Sequence, residues 1–384
     1  MNDSRDTPAR RIPVCVPDLG GAEERYVADA VRGGWISSVG PAVEQFERGF
    51  ASWCGAAHGV GTSNGTAALH LALTALGVGP GDEVVIPDFA MVSVLFAVLY
   101  CGAKPVLADV EPDTGNLDPA EVARAVSPRT KAVVAVHTYG HPCDVDAIRA
   151  ALGGRGAAVV EDAAEAHGAE WRGRRTGALG EIATFSFYAN KILTTGEGGM
   201  VVTGDARLAE RCRYYRNLCF PLDRPRDYLH EEIGFNYRLT NLQAALGLAQ
   251  LERADQLVEA RRRNARGYRE RLRDIAGLTL PVERDGARNV YWMFGIQVDP
   301  ESFGRSRDDV AAALAARGVE TRPFFQPMHV QPPYLRLDGN GPGRGFPVSD
   351  RLAARGLYLP SSSGLTDDEI DYVCRAIRDL AGAR

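Results

Sequence analysis

The sequence predicts an α/β protein with a large domain on a mostly parallel sheet and a smaller C-terminal α+β domain. Between residues 82 and 203, short β-branched apolar runs alternate with segments of helical periodicity, a pattern typical of parallel strands joined by crossover helices. A stretch almost free of helix breakers covers residues 240–272, and shorter mixed elements follow it. We therefore expect a large domain over residues 1–250 and a small domain over residues 251–384.

The individual elements follow from periodicity and from nearby glycine or proline. A small polar loop at 61–65 leads into a predicted helix at 66–76. The strands of the large domain are predicted at 83–86, 105–110, 132–136, 157–161, 183–188 and 199–202, with helices at 93–100, 119–126 and 145–152. In the C-terminal part we predict strands at 289–298, 319–325 and 357–359, and helices at 307–317 and 367–380.

The composition excludes several classes of protein. The 384 residues carry 44 Lys and Arg against 49 Asp and Glu, so there is no basic footprint for nucleic acid or for an anionic membrane surface. The longest mostly apolar stretch, 89–103, is shorter than the ~20 residues of a membrane-spanning helix. Residues 1–11 do not resemble a secretory signal, and the seven cysteines form no CxxC pair. We expect a cytoplasmic protein.

Lysine is rare in this chain, and one lysine has an unusual setting. Only Lys104, Lys131 and Lys191 are present, and Lys191 follows a predicted buried strand and precedes the glycine cluster at 196–199. A partly desolvated lysine there is expected to have a lowered pKa and to attack a carbonyl as a neutral amine. Lys104 and Lys131 stand at predicted strand entrances, where solvated charge is the simpler interpretation.

An acidic residue is expected at the same edge of the sheet. Asp162 follows the predicted strand 157–161 in VVEDAAEAHG, at the carboxyl edge where open α/β sheets bind ligands. A buried carboxylate there needs a cation, and the protonated pyridine nitrogen of pyridoxal 5'-phosphate (PLP) is one such cation. A helix N-cap is an equally acceptable interpretation of Asp162 taken alone.

One further segment suggests an anion site, and another raises the question of a metal site. The loop 61–66 (GTSNGT) enters a helix and could hold a phosphate at the positive helix end, although such loops are commonly only caps. Ser186 could direct a second hydroxyl at the same phosphate. His137, His141 and Cys143 have a spacing compatible with a metal, but no fourth ligand is evident, and we expect none.

Together these motifs resemble the sugar aminotransferases of the DegT type, which are fold-type-I PLP enzymes that aminate keto sugars on nucleotide carriers. The resemblance covers nearly the whole chain and is carried by GTSNGTAAL, EDAAEAHGA, SFYANKILTTGEGGMVVT, GFNYRLTNLQAALGLAQLE, VYWMFGI and TRPFFQPMH. It implies transfer of an amino group from an amino acid to C4 of GDP-4-keto-6-deoxymannose. L-Glutamate is the expected amino donor. Other nucleotide-linked keto sugars, aminated at C3 or C4, and cyclitol ketones stay open.

The resemblance also implies roles for individual residues. Lys191 would bind PLP covalently and then move the proton between Cα of the donor and C4′ of the cofactor. Asp162 would pair with the pyridine nitrogen. Gly65, Thr66 and Ser186 would bind the phosphate.

Four more residues are implied by the same resemblance. Asn236 would reach the phosphate from a neighbouring copy, which requires a homodimer with shared active sites; a buried turn within one chain is the alternative. Glu165 stands where a Gln often contacts the PLP 3′ oxygen, and Met91 where an aromatic ring often stacks on PLP. His329, in QPMH, would face the sugar or the donor.

Two other functions belong to the same fold. A PLP-dependent sugar dehydratase of the family typically carries His at the position of Lys191, so the lysine argues against it. A non-catalytic regulator or scaffold is expected to lose the amine, the acid or the phosphate loop, and all three are present here.

Overall fold

The computed structural model describes residues 10–225, 228–337 and 345–382, so most of the polar N-terminal segment 1–11 lies outside it. The strands are β1 (His58–Thr62), β2 (Glu83–Pro87), β3 (Lys104–Ala108), β4 (Thr130–Val136), β5 (Ala158–Asp162), β6 (Glu170–Trp171), β7 (Arg174–Arg175), β8 (Ile182–Ser186), β9 (Gly199–Thr203), β10 (Leu278–Thr279), β11 (Ala287–Arg288), β12 (Phe294–Val298), β13 (Arg322–Pro323) and β14 (Gly356–Leu359).

The helices alternate with these strands. They are α1 (Glu23–Arg32), α2 (Pro41–Cys54), α3 (Gly65–Ala75), α4 (Ser93–Tyr100), α5 (Pro119–Ala125), α6 (Val145–Ala151), α7 (Ala206–Arg216), α8 (Asn241–Glu252), α9 (Ala254–Leu272), α10 (Pro300–Phe303), α11 (Arg307–Ala316), α12 (Pro332–Leu335), α13 (Pro347–Arg355) and α14 (Asp367–Gly382). No helix in the described ranges is long and apolar enough to cross a membrane.

A seven-stranded sheet in the order β1-β9-β8-β5-β4-β2-β3 forms the large part of the molecule. Its neighbouring strands pair in parallel from β8 through to β3, whereas β9 is antiparallel to both β1 and β8. The carboxyl ends of the parallel strands therefore meet at one edge, where ligands of open α/β sheets bind.

Helices cover both faces of this sheet, as its parallel strands require. On one face α3, α4 and α7 pack against side chains that include Val84 and Val134. On the other face α5 and α6 pack against Val85 and Val133. Farther along that face, α2 and α8 pack around Phe185. Strands inside the sheet, such as β2, are thus buried on both sides, which explains their apolar runs.

The predicted α/β fold with a mostly parallel sheet is confirmed, and each predicted strand between residues 82 and 203 overlaps an observed one. Two features of the large sheet differ from the prediction. β1 occupies the segment HGVGT, whose two glycines hide its strand character, so the predicted loop 61–65 begins too early. β9 runs antiparallel because the link 187–198 contains no helix, and a parallel return would need such a crossover.

The C-terminal part contains an antiparallel sheet in the order β10-β12-β14-β13. Helices α9, α11 and α14 pack around it. The predicted strand 289–298 is shorter than expected, since only Phe294–Val298 pairs within this sheet. Residues 289–293 instead cross toward the large sheet, and Tyr291 adopts a left-handed backbone with φ 47°. The predicted strand 319–325 is likewise reduced to β13.

The N-terminal segment pairs with the C-terminal part through an isolated parallel bridge between Ile12 and Val319. The Ile12 amide donates to the Gly318 carbonyl at 2.8 Å, and the Glu320 amide donates to the Ile12 carbonyl at 2.9 Å. Ile12 is buried among the apolar side chains of the C-terminal part. The division at residues 250/251 stays a prediction.

Candidate active site

Lys191 lies at the carboxyl edge of the large sheet. It follows β8 in a tight turn, in which the Lys191 amide donates to the Tyr188 carbonyl at 2.8 Å. Only 11% of its side chain is exposed. Burial lowers the pKa of the Lys191 amine, and the carboxylates of Glu165 and Asp162 oppose that shift. This environment favours the neutral form of the amine more than the protein surface does.

The Lys191 amine contacts a carboxylate and an aromatic ring. Its Nζ lies 3.7 Å from Glu165 Oε1. The same Nζ lies 3.5 Å from the centroid of the Trp292 ring. The indole N–H of Trp292 donates to the Asn190 carbonyl at 2.8 Å, which fixes the ring beside the lysine. Trp292 comes from the segment that crosses between the two parts of the molecule.

Glu165 is a buried carboxyl group with one firm hydrogen bond. Its Oε2 accepts the Tyr139 amide at 2.9 Å, while Oε1 is the atom that faces Lys191. Burial raises the pKa of Glu165 to about 7, although Lys191 and the Tyr139 amide act to lower it. Near neutral pH this group is therefore able to release or to accept a proton.

Asp162 ends strand β5 and is 5% exposed. Its Oδ1 accepts the Ala164 amide at 3.1 Å, and its carbonyl accepts the His137 amide at 3.1 Å. Burial raises the pKa of Asp162, with the Ala164 amide and Lys191 opposing. Within the described ranges Asp162 forms no ion pair. A cationic ligand would therefore compensate a buried charge that the chain leaves without a close partner.

A narrow cradle lies between the start of α3 and the end of β8. A Cβ added to Gly65 would stand 2.8 Å from Ser186 Cβ, so only glycine fits there. Asn64 caps α3 by accepting the Ala67 amide at 2.8 Å. The amides of Gly65 and Thr66, in the first helical turn, have no acceptor within the helix. The cradle thus combines amide and hydroxyl donors with the positive end of a helix dipole.

Three of the predicted site residues lie outside this cluster. Met91 follows β2 and is 50% exposed, and Asn236 is exposed and pairs with Asn217 in an isolated bridge. In the described part of the chain, neither forms a hydrogen bond with Lys191 or Asp162. His329 is held by Asp88, with Nδ1 2.8 Å from Oδ2. Their roles toward a ligand stay predictions.

The structure also shows the surroundings of His137, whose spacing from His141 and Cys143 is compatible with a metal. His137 is fully buried; its Nδ1 accepts the Cys143 amide at 2.9 Å and its Nε2 lies 3.0 Å from Glu161 Oε2. Both ring nitrogens are therefore used internally. Among the described residues, no group of three or more His, Cys, Asp or Glu side chains is arranged to hold a metal ion.

Sequence reasoning missed two residues of the site. Trp292 lies in the motif VYWMFGI without a predicted role, and Tyr139 lies between His137 and His141, also without one. Tyr139 has a left-handed backbone, φ 52°, that points its amide at Glu165. The available signal for Trp292 is its place in VYWMFGI, one of the segments that carry the family resemblance.

An amine and an acid buried at the carboxyl edge of a mostly parallel sheet are typical of an aminotransferase. The sequence matches the DegT/DnrJ/EryC1/StrS aminotransferase family over residues 17–378. The chain belongs to this family.

Several relatives have names that specify a reaction. The GDP-perosamine synthase of Caulobacter vibrioides is 45% identical over 368 residues, which are 96% of this chain and 97% of the relative. The GDP-perosamine synthases of Vibrio cholerae and Escherichia coli O157:H7 are 40% and 38% identical, each over 96% of this chain and 98% of the relative.

Solved structures agree with this assignment. DesV of S. venezuelae, in complex with a ketimine intermediate, has a TM-score of 0.88 at 37% identity, covering 98% of this chain and 99% of DesV. The aminotransferase TlmJ from Streptoalloteichus hindustanus has a TM-score of 0.89 at 35% identity, covering 97% and 99%.

Proposed function

We propose that this aminotransferase uses PLP to transfer the amino group of L-glutamate to C4 of GDP-4-keto-6-deoxymannose, giving GDP-perosamine. The observation that carries the transamination is the buried Lys191 amine, with Asp162 at the end of a neighbouring strand. The preference for a GDP-linked sugar is supported by three GDP-perosamine synthases that are 38% to 45% identical over nearly their whole lengths.

The residues present fit PLP in three independent respects. Asp162 is a buried acid without an ion-pair partner in the described ranges, which suits a protonated pyridine nitrogen. The cradle of Gly65 and Ser186 excludes a side chain and offers hydrogen-bond donors, which suits a phosphate. Lys191 supplies an amine of lowered pKa, which suits an aldehyde.

When bound, PLP supplies an electron sink that stabilises negative charge at the carbon losing its proton. Asp162 would keep the pyridine nitrogen protonated, because that positive charge would stabilise the buried carboxylate. Lys191 would bind the cofactor and, once released, would carry the proton that leaves the donor carbon. The Gly65 and Thr66 amides and the Ser186 hydroxyl would hold the phosphate.

We also propose a homodimer in which Asn236 completes the phosphate site of a neighbouring copy. Asn236 is exposed in the single chain, as a residue directed at a second chain would be. Large apolar side chains are exposed on the same molecule and would be covered by a partner; they include Trp35 (48%), Val39 (67%), Leu229 (66%) and Ile233 (88%). Met91 and His329 are proposed to face the cofactor ring and the substrate, respectively.

The seven cysteines support a reducing compartment. All of them are free, and five are buried. Free thiols that form no disulfide are typical of cytoplasmic proteins, so we propose a cytoplasmic location.

The decisive experiment has two parts. Purified protein mixed with L-glutamate should lose the absorption of the carbonyl form of the cofactor and gain that of the aminated form. The aminated protein is then offered a panel of GDP-, UDP- and dTDP-linked keto sugars, and each product is assayed by mass for gain of an amine. Amination of GDP-4-keto-6-deoxymannose alone supports the proposal, and failure of the glutamate step overturns it.

One observation favours a second acceptor. The dTDP-3-amino-3,4,6-trideoxy-alpha-D-glucose transaminase of Streptomyces venezuelae is 38% identical over 99% of this chain. A dTDP-linked 3-keto sugar is therefore the alternative substrate, and amination of it in place of the GDP-linked sugar would replace the first assignment.

A further inference from the structure

We propose that Trp292 and Glu165 form a resting site for the ammonium form of Lys191, in which Glu165 accepts the proton when the ammonium becomes an amine. The inference rests on the proposed function in one respect: transamination requires Lys191 to alternate between a bonded and a free state. The Nζ of Lys191 lies 3.5 Å from the Trp292 ring centroid and 3.7 Å from Glu165 Oε1, and the proposal assigns this position to the free state. Both partners are positioning residues for the lysine.

The Trp292 ring is fixed before the ammonium arrives. Its N–H donates to the Asn190 carbonyl at 2.8 Å, and its ring is stacked on Tyr139 at 27° with centroids 6.3 Å apart. The buried Arg261 donates to the Trp292 carbonyl at 3.2 Å. Trp292 is 3% exposed, so the attraction between the ring face and a cation is little screened by water. Indole provides the best ring face for this interaction.

Glu165 is oriented so that one oxygen is free for the lysine. The Tyr139 amide holds Oε2 at 2.9 Å, which leaves Oε1 directed at Nζ. Transfer of one proton converts Lys191 ammonium and Glu165 carboxylate into a neutral amine and a carboxylic acid, so charge and atoms balance. Burial raises the pKa of Glu165 to about 7 and lowers that of Lys191, which brings the two groups closer in proton affinity.

Other titratable groups face this pair, but none duplicates the role of Glu165. They are Asp162, Cys15, His167, Tyr139 and Tyr358. Burial lowers the pKa of His167 to about 3 and raises the pKa of both tyrosines, so these three stay neutral near pH 7. Cys15 Sγ donates to the Asn190 carbonyl at 3.3 Å. Asp162 forms no ion pair with Lys191 in the described ranges.

The test uses the scarcity of lysine in this chain. Any PLP bound to the full chain is removed with hydroxylamine and dialysis. The amines of the protein are then pulse-labelled with acetic anhydride across a pH series. Peptide mass spectrometry then gives the labelling midpoint of each lysine. Lys104 and Lys131 are exposed and serve as internal references in every sample. The variants are Glu165→Gln, Trp292→Phe and Trp292→Leu.

Matched controls remove similar groups elsewhere. Glu170→Gln removes a carboxylate 3.7 Å from an Arg175 nitrogen, and Trp53→Phe removes an indole that has Arg175 4.7 Å from its centroid. Both should leave the Lys191 midpoint in place. Glu165→Gln should lower that midpoint by about 1 pH unit or more, because an adjacent carboxylate favours the charged amine by that amount. Trp292→Leu should lower it by less, and Trp292→Phe by least.

The proposal is overturned if the Lys191 midpoint in both Glu165→Gln and Trp292→Leu stays within about 0.2 pH units of the wild-type midpoint. A second readout does not depend on labelling: the Trp292 emission, taken as wild type minus Trp292→Phe, should titrate with Lys191 and become independent of pH in Lys191→Met. Neither measurement requires PLP or turnover. A chain with shifted midpoints that fails to react with glutamate would therefore support the resting site while contradicting the proposed function.

Discussion

The two edges of the large sheet place the same side-chain types in opposite environments. At the amino edge, Lys104 begins β3 and Lys131 lies at the second position of β4, and both are exposed. At the carboxyl edge, Lys191 follows β8 with 11% of its side chain exposed, against an indole ring and a buried carboxyl group. Whether a lysine lies at the amino or the carboxyl end of a strand therefore decides whether its amine is solvated or buried.

The acidic residues of the two edges differ in the same sense. Glu83, at the amino end of β2, is buried, but Arg129 and Ser127 bind it, with Arg129 Nη2 2.6 Å from Oε1. Burial acts to raise the pKa of Glu83, yet the hydrogen bonds from Ser127 and Arg129 bring it below its usual value. Asp162, at the carboxyl end of β5, has a raised pKa and no ion-pair partner in the described ranges. The buried acid of the amino edge is thus paired with an arginine, whereas the buried acid of the carboxyl edge has no cationic partner among the described residues.

The largest expected difference is between removing the lysine of the carboxyl edge and removing a lysine of the amino edge. Lys191→Ala should lower the rate of amine transfer at least about 10³-fold, because the covalent anchor and the proton carrier are both removed. Lys104→Ala, at the amino edge, should keep the rate within about 2-fold. The measurement is the glutamate-dependent change in cofactor absorption. Turnover by Lys191→Ala at the wild-type rate would refute the difference between the edges.

Asp162→Asn should lower the rate about 10²-fold, since an amide cannot hold the pyridine nitrogen protonated. In the cofactor-free chain the same substitution should raise Tm, because it removes a carboxyl group whose ionisation is opposed by burial. Glu83→Gln should do the reverse, with rate unchanged and Tm lowered. Calorimetry at pH 7 checks the signs; a lowered Tm in both variants would contradict the comparison.

Glu165 should give the cofactor-free chain a pH-dependent stability of unusual sign. Its pKa is raised from 4.5 to about 7 in the folded chain, so between these values the folded state binds the additional proton. The contribution of Glu165 to the free energy of unfolding therefore falls as pH rises through this window. The difference in Tm between wild type and Glu165→Gln should follow this course. A difference that is constant from pH 4.5 to pH 8 would exclude a raised Glu165 pKa.

The smallest effect belongs to the ion pair at the amino edge. Glu83→Gln should lower the free energy of unfolding by about 1 kcal/mol, because Arg129 is 64% exposed and the pair is partly screened. The pKa of Glu83 is depressed by folding, so its contribution is present above the unfolded pKa and is lost as pH falls through the folded value. Urea titrations at pH 7 and pH 3 should therefore differ for the wild type more than for the variant.

Much of this arrangement could be predicted from the sequence, because local patterns determine it. Strand ends follow from apolar runs, so Asp162 and Lys191 could be placed at one edge before any coordinates were available. Helix α4 was predicted with its observed bounds, Ser93–Tyr100. Strand β1 was not predicted, because the glycines in HGVGT interrupt the alternation of apolar and polar residues. The segment is extended through its pairing with β9.

The partners of the lysine could not be predicted, because they depend on contacts between distant parts of the chain. Trp292 lies about a hundred positions after Lys191, and it reaches the lysine because residues 289–293 leave the C-terminal sheet. Glu165 could be placed near the site, but its raised pKa depends on burial by elements that no local pattern identifies. The predicted role of Asn236 toward a phosphate depends on a second chain, which no local pattern reveals.

The pairing of Ile12 with residues 318 and 320 also bears on how the polypeptide is made. The Val14 amide bonds to Glu320, 306 positions away, and the Ser361 amide bonds to the Val14 carbonyl. During synthesis, residues 12–14 can therefore form these hydrogen bonds only after residues 318–361 have been made. Contacts over such distances slow folding, and nascent chains that stop before this point should expose the unpaired N-terminal segment to chaperones.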